Sequence, residues 1–524
     1  MKREEATVPV VDLFAGPGGL AEGFCAPRVQ SETLNFRVAL TVEVDRFAFE
    51  TLRLRAFLRK FANGFPNEYY NYLNGITEGI PEWSSLFPKQ WNEACQETLC
   101  LKIGTHHANT LIRDKIQAIR AIHGGRTVLL GGPPCQSYSL IGRVRNAANA
   151  GYEADKDKRQ SLYREFVAVL RTLQPAVAVM ENVKGILSAQ YRGRPVFPQL
   201  MDSLRHAGGR HRYTLVALDP SAAGFTSNRG HDSRQFVVRS ESFGVPQKRH
   251  RIFVVCIRND LAEALPQNLF PRLVRANRVV NVHDVIGEMP RLRSKLSKSD
   301  NFATWKKCLY DALITVESHV PSLSRECRSK FNESLANTRN SIENGELPYR
   351  DVCGGVRIAK SCPANLRRWI QDPHIMKLPN NETRGHIKED LSRYLFASSL
   401  AFATGRTPKS IDFPQVLSPR HANWNKGQFA DRFRVQLRWS PATTITSHIS
   451  KDGHYYIHPD PSQCRSLTVR EVARIQTFPD NYFFQGPRTQ QYIQVGNAVP
   501  PYLAYQIANQ ISPILEYYDR ITSA

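Results

Sequence analysis

Short apolar runs, separated by longer amphipathic stretches, dominate the first half of the chain. They are rich in Val, Ile and Leu and cover residues 8–14, 38–42, 127–130, 176–180 and 252–257. Short, fully apolar strands are typical of a parallel sheet that is buried on both faces. Between the third and fourth runs, apolar residues from Leu162 to Leu173 recur at helical spacing, which predicts a crossover helix. The pattern therefore predicts an α/β fold.

Residues that could bind a ligand or take part in catalysis follow each of the first four predicted strands. The glycine-rich stretch 15–19 comes after the first strand and Glu43 after the second. The third strand runs into Gly131–Cys135, and the fourth is followed by Glu181–Val183. Because open α/β sheets bind ligands at the carboxyl ends of their strands, these distant positions are predicted to form one site.

The pattern changes after residue 257 and becomes regular again near residue 465. The segment between mixes basic residues, prolines and short apolar pieces without clear periodicity. Thr468 and Glu471 then fit a capping box, and apolar residues from Leu503 to Ile511 predict a last helix. We predict a catalytic α/β domain over 1–257 with an insertion at about 55–120, a second, irregular domain over 258–464, and a return segment over 465–524 that completes the first.

The net charge of the chain indicates a candidate binding partner. The chain has 524 residues, with 70 Lys and Arg against 47 Asp and Glu, which gives a formal charge of +23. Nucleic acid is the usual partner of a large basic protein, although a basic surface can also serve solubility alone. No apolar run is long enough to span a membrane, and the N-terminus lacks the pattern of a signal peptide. The ten cysteines form no C-x-x-C pair and no zinc pattern, so we expect reduced thiols, no metal and a cytoplasmic location.

The glycine turn and the acid after the second strand indicate a cofactor site. Gly16, Gly18 and Gly19 let the backbone approach a ligand closely, and the helix that follows offers free N–H groups. Glu43 is placed to accept hydrogen bonds from ribose hydroxyls. This combination predicts an adenosine-containing cofactor but leaves NAD, FAD and S-adenosylmethionine open, and a plain tight turn is the alternative.

Three further segments carry candidate catalytic groups. Two prolines give Cys135 a rigid support, which suits a nucleophile, although a buried turn cysteine has the same sequence. Glu181 could exchange a proton with a nitrogen heterocycle or could be a structural acid. Arg249 and Arg251 alternate along the chain, and we expect them to face opposite sides, unless they belong to a solvated charge run.

Six segments resemble, in the usual order, the signature blocks of DNA (cytosine-5)-methyltransferases of the bacterial restriction-modification type. They are residues 12–19 (DLFAGPGG), 133–137 (PPCQS), 181–183 (ENV), 247–251 (QKRHR), 465–480 (RSLTVREVARIQTFPD) and 496–500 (GNAVP). The resemblance implies a Rossmann-like, S-adenosylmethionine-dependent methyltransferase sheet, with residues 258–464 as the target-recognition domain.

The resemblance also implies roles for the cofactor-side residues. S-adenosyl-L-methionine would lie at the glycine turn, with Phe14 stacked on its adenine and Glu43 on its ribose. Pro134, Asn497 and Ala498 would line the same site. The acidic residue that the family usually carries after its third cofactor-side strand is not evident around residues 102–104.

On the substrate side, the resemblance implies attack on a cytosine that has left the duplex. Cys135 would bond to C6, and a protonated Glu181 would bind N3 and the exocyclic amine. Arg251 would bind the base oxygen, and Arg249 would help to position the substrate or the catalytic loop. Basic residues within 139–160 would form a mobile lid over the DNA phosphates.

Double-stranded DNA is therefore the expected partner, with no membrane and no metal. A monomer associated with the nucleoid is expected, and cognate restriction or defence proteins are further candidate partners. Three alternatives stay open at this point: a nucleotide-dependent oxidoreductase, a DNA-binding module on an inactive methyltransferase scaffold, and an RNA cytosine methyltransferase.

Overall fold

The computed structural model describes residues 7–26, 34–134, 162–191, 193–209, 212–219, 233–352, 356–419, 424 and 430–523. A mixed sheet lies at its centre. Its strands are β1 (Thr7–Leu13), β2 (Asn35–Glu43), β3 (Thr98–Cys100), β4 (Val128–Gly131), β5 (Val177–Val183), β8 (Tyr213–Val216), β9 (Val237–Arg239) and β11 (His250–Arg258). They lie side by side in the order β3-β2-β1-β4-β5-β11-β8, and β9 pairs with the start of β11.

The direction of the strands confirms the predicted α/β class. Strands β1 to β5 are parallel to one another, and the order reverses between β1 and β4, as in a doubly wound sheet. One expectation needs correction, because β11, which contains the fifth predicted run, is antiparallel to β5 and β8. Its first residues therefore reach the edge where β1, β4 and β5 end.

Helices cover both faces of this sheet. Alternate residues of each strand enter opposite cores: in β5, Val177 and Val179 face one core, while Ala178 and Met180 face the other. The first core includes residues of α1 (Gly19–Phe24), α9 (Asn259–Ala264) and α17 (Pro501–Ser523). The second includes residues of α6 (His106–His123), α7 (Tyr163–Leu173) and α8 (Val196–Arg205). The apolar runs are continuous because the sheet is buried on both sides.

Only part of the predicted insertion at about 55–120 lies outside the central sheet and its flanking helices. It contains β3 and most of α6, which belong to the central α/β layers. The additional part follows α2 (Arg46–Leu58) and comprises three short helices, α3 (Asn67–Leu73), α4 (Trp83–Leu86) and α5 (Pro88–Glu97). Their aromatic side chains form a separate core that also includes Ile375 from the second half of the chain.

Residues 258–464 hold more regular structure than their sequence pattern predicted. They contain α10 (Val282–Ile286), α11 (Phe302–Glu317), α12 (Arg325–Glu343), α13 (Ala364–Ile370) and α14 (Lys388–Thr404). Helices α11, α12 and α14 pack on a common core. Two-residue strands lie between and beside them: β12 (Lys295–Leu296) pairs with β13 (Gly385–His386), and β10 (Gln247–Lys248) pairs with β14 (Ala442–Thr443). A further two-residue pair, β6 (Gln190–Tyr191) with β7 (Arg194–Pro195), lies beyond β5.

The return segment forms α15 (Val469–Ile475), α16 (Arg488–Asn497) and the long helix α17. The predicted capping box is present, since the Glu471 N–H donates to Thr468 Oγ1 (3.1 Å) and the Thr468 N–H donates to Glu471 Oε2 (2.7 Å). Helices α15 and α16 share a core with residues 280–289 and 442–456, whereas α17 lies on the sheet. The division of the chain at residues 258 and 465 stays a prediction. Within the described residues, no helix is long and apolar enough to cross a membrane.

Removing the carboxylate of Glu471 should destabilise the protein strongly. Arg465 donates to both Glu471 oxygens, at 2.6 and 2.7 Å, and both side chains are almost fully buried. Glu471→Ala would leave a buried guanidinium without its partner, which costs about 3–5 kcal/mol. Thermal unfolding should show a clear fall in the midpoint, whereas Glu326→Ala, which removes an exposed pair with Lys330, should leave it nearly unchanged. Equal midpoints for the two variants would contradict this account.

Candidate active site at the carboxyl edge of the sheet

The loop after β1 is a tight turn whose outer side is open. Phe14, Gly16 and Gly18 all have positive φ (57°, 57° and 98°), and the Gly18 N–H donates to the Ala15 carbonyl at 3.0 Å. A Cβ built on Gly16 would have no described atom within 4 Å. Phe14 is half-buried against the second core. The turn therefore offers an unobstructed backbone surface at the end of β1, which suits close approach of a ligand.

Glu43 is held against this turn by the backbone. Its Oε2 accepts from the Gly16 N–H at 2.7 Å, and its Oε1 accepts from the Val44 and Asp45 N–H groups at 2.9 and 2.8 Å. Burial raises the pKa of the Glu43 carboxyl above its usual value, although these three donors act in the opposite direction. Each carboxylate oxygen can accept more than one hydrogen bond, so an oriented acceptor stays available beside the open turn.

The return segment closes the other side of the turn. A Cβ on Gly19 would lie 2.3 Å from the Val499 carbonyl oxygen, so the two backbones touch in a way that only glycine permits. Asn497, at the end of α16, is exposed, and Ala498 is buried. The structure thus brings Asn497 and Ala498 next to Gly19, from nearly opposite ends of the chain.

An acid that our sequence reasoning did not single out lies beneath this turn. Both oxygens of Asp12, at the end of β1, are buried and have no hydrogen-bond partner among the described residues. Burial raises the pKa of Asp12 to about 7, while Arg59 and the Ala21 backbone N–H lower it and Glu43 adds to the rise. A buried carboxyl that has no hydrogen bond of ordinary geometry, beside an open glycine turn and an oriented acceptor, fits a bound polar cofactor. The position of Asp12 directly before the turn was the available signal.

The loop after β4 lies directly against Glu181. A Cβ on Gly132 would be 3.2 Å from Glu181 Oε2, and Asn182 Nδ2 donates to the Pro133 carbonyl at 3.2 Å. Pro134, half-buried, is the last described residue of this loop. Cys135 and residues 139–160 of the predicted lid lie outside the described residues. The Pro-Pro segment and Glu181 thus come together at the edge, as predicted.

Glu181 is a buried carboxyl paired with one arginine. Arg251 Nε lies 3.1 Å from Glu181 Oε1, and both side chains are largely buried. Burial raises the pKa of Glu181 above its usual value, while Arg251 and, less strongly, Arg249 lower it. Burial thus favours the protonated form of this carboxyl more than exposure to solvent would, and Arg251 gives it a fixed orientation.

The two arginines have different partners, although both positive charges lower the pKa of Glu181. Residue 249 lies between β10 and β11 and outside both strands, so the expectation that the two side chains face opposite sides stays a prediction. Arg249 is fully buried and donates from Nη1 to the carbonyls of Ile445 (2.7 Å) and Gly496 (3.2 Å). Its Nε has no hydrogen-bond partner among the described residues. Arg249 therefore joins the start of β11 to the segment that leads into Asn497.

Two glutamines, not predicted as site residues, connect the same elements. Gln247 Nε2 donates to Gln476 Oε1 at 2.5 Å, and Gln247 Oε1 accepts from the Ile445 N–H at 2.8 Å. Gln476 in turn donates to the carbonyls of Val495 and Ala498, both at 2.9 Å. Such long-range amide contacts leave no periodic signal in the sequence. Elsewhere, the described residues contain no group of three or more His, Cys, Asp or Glu that could hold a metal ion.

Comparison with known proteins gives one consistent result. The family model described as "C-5 cytosine-specific DNA methylase" matches residues 72–513. Type II methyltransferase M.Bpa9945I of Bacillus paralicheniformis is 30% identical, covering 97% of this chain and 99% of its own. Type II methyltransferase M.AgeI of Thalassovita gelatinovora is 26% identical, over 96% and 98%. The solved structure of the methyltransferase EhMeth of Entamoeba histolytica is 12% identical, covers 98% of this chain and 99% of its own, and has a TM-score of 0.41.

Asp12 should make stability depend on pH in a defined direction. With a pKa of about 7 in the folded protein against 3.8 unfolded, Asp12 loses its proton on unfolding between these values. The free energy of unfolding should therefore fall as pH rises, by about 1.4 kcal/mol per pH unit from this group. The Asp12→Asn variant has no ionisable group at this position, so its free energy of unfolding does not fall for this reason. Its stability relative to the parent should therefore increase from about pH 4 to pH 7 and then become constant.

Chemical unfolding of the ligand-free protein across this range provides the measurement. Asp114→Asn, at an exposed position, serves as the control and should show a constant difference from the parent. A constant difference for Asp12→Asn as well would show that Asp12 is ionised at an ordinary pKa.

Proposed function

Since this chain belongs to the C-5 cytosine-specific DNA methylase family, we propose that it transfers a methyl group from S-adenosyl-L-methionine to C5 of an extruded cytosine. Membership of this family removes the oxidoreductase alternative. The observation that carries the finer proposal is the buried Glu181 carboxyl, which lies against Gly132 of the Pro-Pro-Cys loop and pairs with Arg251. A proton donor is thus oriented next to the segment that leads directly into the nucleophile, Cys135.

The first half of the reaction uses the raised pKa of Glu181. The Cys135 thiolate attacks C6 and forms an S–C6 bond, while the C5–C6 double bond opens toward C5. Glu181, protonated, hydrogen-bonds N3 of the ring and gives it the proton as electron density builds up there. Arg251 holds the Glu181 carboxyl in orientation and presents its guanidinium to the base oxygen.

The second half restores the aromatic ring. When bound, S-adenosyl-L-methionine supplies an electrophilic methyl group, which the nucleophilic C5 takes up. Loss of the C5 proton to solvent returns its electron pair to the ring, re-forms the C5–C6 double bond and expels the Cys135 thiolate. Glu181 recovers its proton from N3, so the enzyme returns to its starting state.

The cofactor would be held by the residues at the glycine turn. Gly16 leaves the approach open, and Glu43 is oriented to accept from ribose hydroxyls. Phe14 would stack on the adenine, and Gly18, Gly19, Pro134, Asn497 and Ala498 would line the site. Asp12, buried and without a partner among the described residues, would face a polar group of the bound cofactor.

Duplex DNA is the proposed substrate, and residues 258–464 are the proposed target-recognition domain. Relatives such as M.Bpa9945I and M.AgeI carry names of Type II methyltransferases, and we extend to this chain a role beside a cognate restriction enzyme. Arg249, bonded to Ile445 and Gly496, would act as a positioning residue that holds the catalytic edge against this domain.

Replacing Cys135 with serine should abolish methyl transfer and leave cofactor affinity nearly intact, because the thiolate acts only on the base. DNA carrying 5-fluorocytosine at the methylated site should become covalently attached to the parent protein, since the C5 position then has no proton to lose. The readouts are transfer of labelled methyl groups and a shifted band on denaturing gels. Near-normal turnover by Cys135→Ser, or the absence of an adduct with the parent despite tight binding, would overturn the nucleophile assignment.

Glu181→Gln should slow single-turnover methyl transfer by about 10²- to 10⁴-fold, the usual contribution of a positioned general acid. The amide keeps the shape but cannot donate a proton to N3. Glu263→Gln, at an exposed position on α9, is the matched control and should react at the parent rate. An unchanged rate for Glu181→Gln would exclude Glu181 from proton transfer.

A further inference from the structure

A polar pocket of about 380 Å³ lies within residues 258–464, apart from the catalytic edge. One wall is the C-terminal half of α12. The others are the end of α14 at Phe402, the turn at 460–462, and two arginines, Arg291 and Arg438. None of the residues assigned to the catalytic edge or the glycine turn lines this pocket. Its size is within the range of sites that hold small ligands.

Some hydrogen-bonding groups in the walls are free, whereas those of the floor and of the turn at 460–462 are used internally. At that turn, Arg291 Nη2 donates to Ser341 Oγ and Ser462 Oγ (both 2.5 Å), and Asp460 accepts from Ser462 and Gln463. On the buried floor, Ser334 Oγ donates to the Phe331 carbonyl (2.7 Å) and Thr338 Oγ1 donates to the Ser334 carbonyl (2.8 Å). In the walls, the Arg438 guanidinium and three side-chain amides have no hydrogen-bond partner within the part of the chain that the structure describes. These amides belong to Asn337, Asn340 and Asn344, which lie along one face of α12 and its C-cap.

The chemistry of the walls selects a nucleobase rather than a bare anion. Amides present both donors and acceptors, so a phosphate alone, which mainly accepts, would leave the amide acceptors unsatisfied. Base edges carry donors and acceptors together, and asparagine and arginine are the side chains that read them most often. Phe402 is 41% exposed, which leaves its ring surface free to stack on a base.

The pocket is connected by a short path to the catalytic edge. Arg438 belongs to a loop that Gln436 closes, since its Oε1 accepts from the Thr443 N–H at 2.9 Å. Thr443 pairs with Lys248, the neighbour of Arg249. The five steps along the chain from Arg438 to Thr443 span at most about 18 Å. This length corresponds to roughly five base-pair steps, so the pocket lies within that distance of a duplex bound at the edge.

We propose that this pocket binds a nucleotide whose base stacks on Phe402 and hydrogen-bonds Arg438 and the α12 amides. The inference deepens the proposed function, because substrate DNA is one source of such a nucleotide and a free mononucleotide is the other. The pocket acts in recognition and takes no part in methyl transfer.

Two variants remove the recognition groups without disturbing the core. Asn337→Ala/Asn344→Ala changes an exposed position of α12 to the best helix former and truncates the exposed C-cap residue, and Phe402→Leu removes only the aromatic ring. Asn332→Ala, exposed on the same helix but outside the pocket, is the matched control. The full-length protein is titrated with the four deoxynucleoside 5′-monophosphates and with inorganic phosphate by calorimetry. It is then titrated with duplex DNA containing the site found by bisulfite sequencing.

We expect at least one mononucleotide to bind at least tenfold more tightly than phosphate, and both variants to weaken that binding about tenfold, with Asn332→Ala unchanged. If the nucleotide comes from DNA, the two variants also weaken duplex binding about tenfold. If it is a free ligand, duplex binding stays at the parent level.

The proposal is overturned if the variants match the control in both titrations, including the case where a mononucleotide binds but both variants bind it normally. The mononucleotide titration requires no methyl transfer. An inactive enzyme that still binds nucleotides through this pocket would therefore refute the proposed function and leave this inference standing.

Discussion

The close approach of Gly19 to the Val499 carbonyl is the constraint on which the site depends. A side chain at Gly19 would collide with that oxygen, and one at Gly23 would come within 2.4 Å of the Pro501 carbonyl. Helix α1 can therefore lie directly on the start of α17, which brings the return segment to the glycine turn. Gly496 allows a similar approach, because a Cβ at this position would lie 2.4 Å from the backbone nitrogen of Ser447. Three segments distant in sequence thus meet at one edge because glycine leaves room for them.

The positive charge of the chain serves two purposes, and composition alone cannot separate them. Arg249, Arg465, Arg470 and Arg474 are among the largest fully buried side chains. Arg474 bonds bidentately with Asp480 at 2.8 Å and also donates to the carbonyls of Val285 and Arg357. The guanidiniums of Arg465, Arg470 and Arg474 link the return segment to residues 280–380, and burial keeps them from DNA. These few buried arginines account for only a small part of the net charge of +23, so most of the positive surplus lies elsewhere in the chain.

Local sequence was sufficient for the elements whose signal is periodic or motif-based. The five apolar runs, the helix near residues 163–173 and the capping box at Thr468 all occur as predicted, because burial on both faces and helix capping act over a few residues. The direction of β11 was not predictable, since an apolar run looks the same in either orientation. Helix α12 was missed because its exposed face is long and polar, and its buried residues are only Phe331, Ser334, Leu335, Thr338 and Ile342. Asp12 lay inside a recognised segment, yet its lack of a partner depends on tertiary packing that no local pattern reports.

The aromatic helices α3–α5 explain how the two halves of the molecule keep a fixed relation. Tyr70 donates to Asp372 Oδ2 at 2.9 Å, and Asn481 Nδ2 donates to the same oxygen at 2.6 Å. Arg55, which pairs with Glu22 of α1, also donates to Asn481. A continuous polar network therefore runs from α1, which follows the glycine turn, through Asn481 to Asp372 in the second half of the chain. Separating the halves on this side would break the hydrogen bonds from Arg55 to Asn481 and from Tyr70 to Asp372. The buried Arg55–Glu22 pair lies within the first half, so this contact ties an already fixed guanidinium to the return segment.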